Sequence, residues 1–206
     1  WGIGMLDWIN VVNCYAVLYM YLAFIVGAFS LTFAIGIISK EQRDKTADFL
    51  FVKPVSRSYV LFSKFLVALV YSVLLWIVTC VSSYIAVLAV GDPDRLHSLF
   101  ALFAGLLGMQ IAFMCLGLLI GTLIQRHKFA AAIGMAAVLV MFVLKIFVDM
   151  FEQFSFLRYI SFFKYFDAAE IIVTGYPAHL TIVGLIINIS MVSAAFVIYK
   201  RRDIYA

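Results

Sequence analysis

The chain is 206 residues long, two thirds apolar (66%) and only 13% charged, with a net charge of +4. A soluble domain averages about 45–50% apolar and about 25% charged, so this composition excludes an ordinary soluble domain, a disordered tail and a fibre. It points to a membrane protein whose outer surface meets lipid.

Five runs are long and apolar enough to cross a bilayer, which takes about 20 residues. In chain order they are Cys14–Ile38, Tyr59–Val90, Leu99–Ile124, Phe129–Phe147 and Leu180–Tyr199. Ten-residue segments of alternating polarity are absent, which excludes a β-barrel. The predicted fold is an all-α polytopic bundle forming a single transmembrane domain over 1–206. The three cysteines lie in apolar runs with no CxxC spacing, so they read as small core residues rather than metal ligands or a disulfide framework.

Charge sets the orientation. The stretches 39–64, 125–128 and 200–206 hold 11 of the 15 Lys and Arg residues, which places them and the C-terminus in the cytoplasm. Five spans then leave residue 1 outside, with no basic leader to export it. The chain opens on Trp1, and the expectation is one further upstream span and six spans in the intact protein.

Between the first two runs lies KEQRDKTADFLFVKPVSRS, residues 40–58. Asp44 to Phe51 has the pattern of a short amphipathic helix. Pro54 disfavours helical geometry at Lys53 and so ends it; Ser56 or Ser58 is placed to cap the next span. A short cytoplasmic helix held between two long spans passes any force from a soluble partner to both. The plain alternative is a basic loop that only fixes topology. The turn Gln125-Arg126-His127-Lys128 is a second cytoplasmic stretch, either a partner contact or a topology anchor, and His127 is the histidine expected to be exposed.

Residues 149–178 are too polar to span. They mix Phe151, Phe154, Phe156, Tyr159, Phe162, Phe163, Tyr165 and Phe166 with Glu152, Arg158 and Lys164, a combination suited to the headgroup level. Pro177 marks the restart into the last span. Gly117 and Gly121, then Ala130 and Gly134, carry four-residue small-residue spacings that allow helices to approach closely, most simply within one subunit. Lys145 and Asp149 form the one ionisable pair inside a span, and Lys145 is expected to snorkel to the interface.

Three segments together resemble the ABC-2 type exporter permeases. They are Glu41…Lys45-Thr46-Ala47-Asp48-Phe49-Leu50…Lys53-Pro54-Val55-Ser56-Arg57…Lys64-Phe65, then Phe162-Phe163-Lys164-Tyr165-Phe166-Asp167, then the ending Lys200-Arg201-Arg202-Asp203-Ile204. Thr46 departs from the glycine that family often has. The resemblance implies a transmembrane permease subunit, similar to small bacterial peptide and antibiotic exporters, in the plasma membrane. It implies a second permease subunit, identical or not, and a cytosolic ATP-binding subunit docked on a coupling helix at 41–54. Glu41, Lys45, Thr46, Asp48, Phe49, Leu50, Lys53, Pro54 and Arg57 would form that docking face; Arg126, His127 and Lys128 would make the second contact. Short interfacial or re-entrant helices over 149–178 would form an extracellular gate with Phe151, Phe154, Tyr159, Phe162, Phe163 and Phe166.

No phosphate-binding GxxxxGK[ST] is present, so ATP and its magnesium are expected on the partner and no cofactor on this chain; nucleic acid is not an expected partner. HExxH and GxSxG are also absent, and an enzymatic role is not expected. An ion-coupled secondary transporter without an ATPase partner is the alternative. It usually needs ionisable residues mid-span, broken helices and repeats, which this sequence lacks. Apolar and weakly polar spans suit an amphipathic or hydrophobic cargo better than a small ion, whose desolvation would go uncompensated.

Overall fold

The computed structural model describes residues 11–40, 56–90, 96–124 and 126–201. Five long helices cover the five predicted runs: α1 (Val11–Ile38), α2 (Arg57–Val90), α3 (Leu96–Leu123), α4 (His127–Met150) and α7 (Ala178–Arg201). All five are long and apolar enough to cross a membrane, and no strand occurs among the described residues. The molecule is an all-α polytopic membrane protein. The segment 41–54 lies outside the described residues.

Local signals explain the ends. The Ser56 hydroxyl accepts a hydrogen bond from the Tyr59 amide at 3.3 Å, capping α2. Pro177 directly precedes α7, and its carbonyl accepts from the amide of Thr181 at 3.1 Å.

The core is the pair α1 and α3, flanked by α2, α4 and α7. Small residues make this pairing possible. A Cβ on Gly117 would lie 2.4 Å from the Leu31 carbonyl oxygen, and one on Gly121 would lie 3.1 Å from Ile38 Cβ. The GxxxG spacing of α3 is therefore used inside the chain, to seat α1 against backbone. Gly134 repeats the device on α4, where a Cβ would meet Leu31 and Ile35. α1 is thus held between two glycine-bearing faces. The outward faces of α2, α4 and α7 carry exposed Leu, Ile, Val and Phe, as a lipid-facing surface requires.

Hydroxyls within the spans mostly turn back on their own helices. Thr32, Ser63, Thr79, Ser82, Thr122 and Ser190 each donate to a carbonyl three or four residues earlier. Ser30 and Gln110 are buried with no partner among the described residues.

Candidate functional site: a plug of short helices and its ion network

Between α4 and α7 the chain makes three short helical pieces: a 3-10 segment (Glu152–Tyr159), α5 (Phe162–Tyr165) and α6 (Ala168–Thr174). Their depth follows from two contacts. Ser161 is fully buried, and its hydroxyl donates to the Met141 carbonyl at 2.7 Å. Met141 lies nine residues before the end of α4, roughly 13 Å along a helix at about 1.5 Å per residue. The chain therefore folds back beside α4 before returning to the surface. Phe162 and Phe163 complete the descent, with ring centroids 5.5 and 5.1 Å from Phe113 in the interior of α3. The return ends at Gly175, whose φ of +79° gives the turn a backbone that L side chains rarely adopt.

Aromatic rings hold this plug by shape. Phe163 also packs on Phe142 at 5.5 Å and Phe24 at 6.4 Å. Phe166 occupies the space over Gly108, where a Cβ would come within 2.5 Å of its ring. The Tyr165 hydroxyl donates to the Tyr159 carbonyl at 2.6 Å, pinning α5 to the segment before it. The six aromatics named from the sequence divide into two sets. Phe162 and Phe163 are buried in the bundle and Phe166 is half-buried, whereas Phe151, Phe154 and Tyr159 are exposed. The mixture of rings and charges suits the headgroup level and the family resemblance allows interfacial or re-entrant helices; Phe162 and Phe163 are buried because α1, α3 and α4 supply an aromatic pocket for them.

The plug is also tied by charge. Lys145 of α4 contacts Asp149 at 2.9 Å and Asp167 at 3.2 Å. Lys164 of α5 contacts Asp149 at 2.9 Å, Glu170 at 3.2 Å and Asp167 at 3.5 Å. Arg158 contacts Glu170 at 3.2 Å. Three cations face three carboxylates, so the cluster is neutral. Asp167 has a second task as the N-cap of α6, accepting from the amides of Ala169 at 3.0 Å and Glu170 at 3.4 Å. Burial works against its charged form, yet Lys145 and Lys164 hold its carboxyl below the ordinary aspartate range. Burial likewise works against Lys164, but Asp167, Asp149 and Glu170 raise its ammonium above the ordinary lysine value.

This corrects one expectation: Lys145 does not snorkel. Its side chain is only 14% exposed, because two carboxylates meet it inside the bundle and replace the water it would otherwise seek. The i,i+4 pair was visible in sequence, but the third and fourth members were not, since Lys164 and Asp167 arrive on a separate segment. The available signal was the balance of charges among aromatics between 145 and 170.

At the opposite end, where α1 ends and α2 begins, buried Lys64 donates to the Ile38 carbonyl at 3.0 Å. Arg57 stands at the first turn of α2. Of the turn 126–128, Arg126 and Lys128 are exposed, and the Arg126 guanidinium lies 6.0 Å from the Phe129 ring centroid. His127 is only half-exposed, with its Nδ1 buried and without a partner among the described residues, whereas His179 is exposed. His179 is wet as its place at a span end predicts, whereas His127, the histidine expected to be most exposed, is the more covered of the two because its Nδ1 faces inward. Glu41, Lys45, Thr46, Asp48, Phe49, Leu50, Lys53 and Pro54 lie outside the described residues.

A family model described as ABC-2 family transporter protein matches residues 9–204, nearly the whole chain. The chain belongs to the ABC-2 transporter family. As an ABC-2 permease it is the membrane-spanning part of a transporter whose family works with an ATP-binding partner. No curated protein matches the chain. The five-span bundle with its tied plug is thus the scaffold of an ABC-2 permease, and the ion network described above belongs to that scaffold.

Proposed function

We propose that this ABC-2 permease is the transmembrane subunit of an ATP-driven exporter that moves an amphipathic or hydrophobic molecule (a peptide toxin, an antimicrobial peptide or a drug) out of the cell. A separate ATP-binding subunit docks on the segment 41–54 and drives the cycle, and two permease subunits enclose the path. The observation that carries this reading is the family match across residues 9–204. The concentration of Lys and Arg in 39–64, 125–128 and 200–206 supports a cytoplasmic C-terminus, which makes the plug end the outer end.

On this reading the plug is the outer gate. Its aromatic face seals by shape, and its ion network is a latch between α4 and the returning helices. A latch made of paired charges suits a gate: closed, every charge is neutralised; open, each charge reaches water at the membrane surface. Hydroxyls bonded to their own helices leave little polar lining within one chain, consistent with an apolar route formed between two subunits.

An ion-coupled transporter deserves comparison because six ionisable side chains cluster at one membrane end, and such groups often mark ion pathways. Their mutual pairing and their position at the end of α4 favour a latch over a relay. The deciding experiment reconstitutes the permease with its ATP-binding subunit and follows ATP hydrolysis and transport across a panel of amphipathic peptides and hydrophobic antibiotics. Stimulation by at least one compound is expected, unaffected by an uncoupler. No response across the panel rejects the substrate class; transport abolished by the uncoupler alone rejects the ATP-driven reading.

A further inference from the structure

Beside the latch lies a cavity of about 450 Å³, bounded by α1, α4 and the plug. That volume falls within the roughly 300–1,000 Å³ of small-molecule sites. We propose that it binds an amphiphile carrying a single ammonium group on an aromatic or branched apolar body. This deepens the exporter reading and rests on it for the role of the ligand as cargo; the binding itself stands on the cavity.

The walls select the body. Met20, Ala23, Met109, Phe142, Phe163 and Phe166 line it with thioethers and rings, a surface that adapts to apolar shapes. Tyr21, Met150 and Val173 also line it and are strongly exposed, so they mark its mouth.

The polar part selects the charge. Lys145, Lys164, Asp149, Asp167 and Glu170 all line the cavity: three carboxylates against two ammonium groups, a net −1. Arg158 completes neutrality through Glu170 without lining the cavity. Each lysine already meets two or three carboxylates, so an anionic ligand would have to displace a bonded carboxylate. A carboxylate has about four acceptor positions, and Asp149 uses one oxygen for each lysine, leaving capacity for a further N–H donor. The ring faces beside it favour a cation as well.

The test uses the full permease in phosphatidylcholine nanodiscs with three fluorescent probes of one shape: 1-naphthylmethylammonium, 1-naphthylmethanol and 1-naphthylacetate, each corrected for empty discs. The ammonium is expected to bind saturably and at least tenfold more tightly than the alcohol, with the acetate weakest. Glu170→Gln is expected to bring ammonium and alcohol to within about threefold, the retained alcohol binding showing that the variant is folded. Val173→Trp at the mouth is expected to weaken all three. Equal affinity for ammonium and alcohol in the unaltered protein overturns the proposal, as does a preference that survives Glu170→Gln or binding indifferent to Val173→Trp. Discs of phosphatidylethanolamine separate the sources of the ammonium: unchanged probe affinity supports a free amphiphile, and loss of binding assigns the cavity to a lipid headgroup and overturns it. Probe binding without stimulation of ATP hydrolysis would count against the exporter reading while leaving the cavity's selectivity standing.

Discussion

Asp167 does two jobs with one carboxylate. One oxygen caps α6 and the other meets Lys145 and Lys164, so two substitutions separate the jobs. Asp167→Asn keeps a good cap and removes the charge; breaking a buried pair costs about 3–5 kcal/mol, and the lower end applies here because Asp149 and Glu170 still serve the lysines. Asp167→Ala also loses the cap, about 1 kcal/mol more. Thermal unfolding in detergent should rank the unaltered protein above Asn and Asn above Ala. The pH dependence follows from the directions of the shifts. Asp167 is lowered, so its contribution is complete above the ordinary 3.8 and is lost as pH falls through the lowered value. Lys164 is raised, so its contribution is complete below the ordinary 10.5 and is lost only as pH rises past the raised value. The stability from this pair should therefore be flat between pH 5 and pH 9. A fall in unfolding midpoint across that range that Asp167→Asn abolishes would contradict the pairing.

At the scale of elements, the fold depends on how closely α1 can lie between α3 and α4. Gly117 and Gly134 both face Leu31, but they face different parts of it. At Gly117 the obstacle to a Cβ is the Leu31 carbonyl oxygen, which is backbone; at Gly134 it is the Leu31 methyl, the far end of a flexible side chain. Gly117→Ala should force the helices apart and cost about 1–3 kcal/mol, the range of overpacking in a tight core. Gly134→Ala should cost less, since a rotamer change relieves it. Unfolding midpoints of the two variants measure the difference; equal losses would mean that the α1–α3 contact is looser than its geometry implies. The plug obeys the same logic in reverse, because the ring of Phe166 fits only where Gly108 leaves room.

For the whole molecule, the two ends of the bundle have different ties. The plug end is held by aromatic packing and a neutral ion network. At the other end Lys64 of α2 reaches the Ile38 carbonyl that ends α1, joining the two helices that flank the segment 41–54. If that segment transmits force, Lys64 makes α1 and α2 move together. Lys64→Met keeps the apolar stem, leaves the Ile38 carbonyl without its ammonium, and should lower coupling, read as ATP hydrolysis with reduced transport. Replacing Phe49 and Lys45 together should release the ATP-binding subunit during purification or uncouple hydrolysis from transport. Normal co-purification and transport in that double variant would reject the docking role.

The sequence by itself determined the five spans, a capping serine at 56 or 58, the break at Pro177 and the membership of the ABC-2 family, because hydropathy length, caps and short motifs are local properties of the chain. It also exposed Lys145 with Asp149, four residues apart on one helix face. Only the tertiary structure decided that Phe162 and Phe163 descend into the bundle, that Gly117 meets backbone, and that Lys164, Asp167, Glu170 and Arg158 close a ring of charge around that pair. Those facts depend on segments far apart in the chain meeting at one place in the bundle, and local pattern carries no record of such meetings.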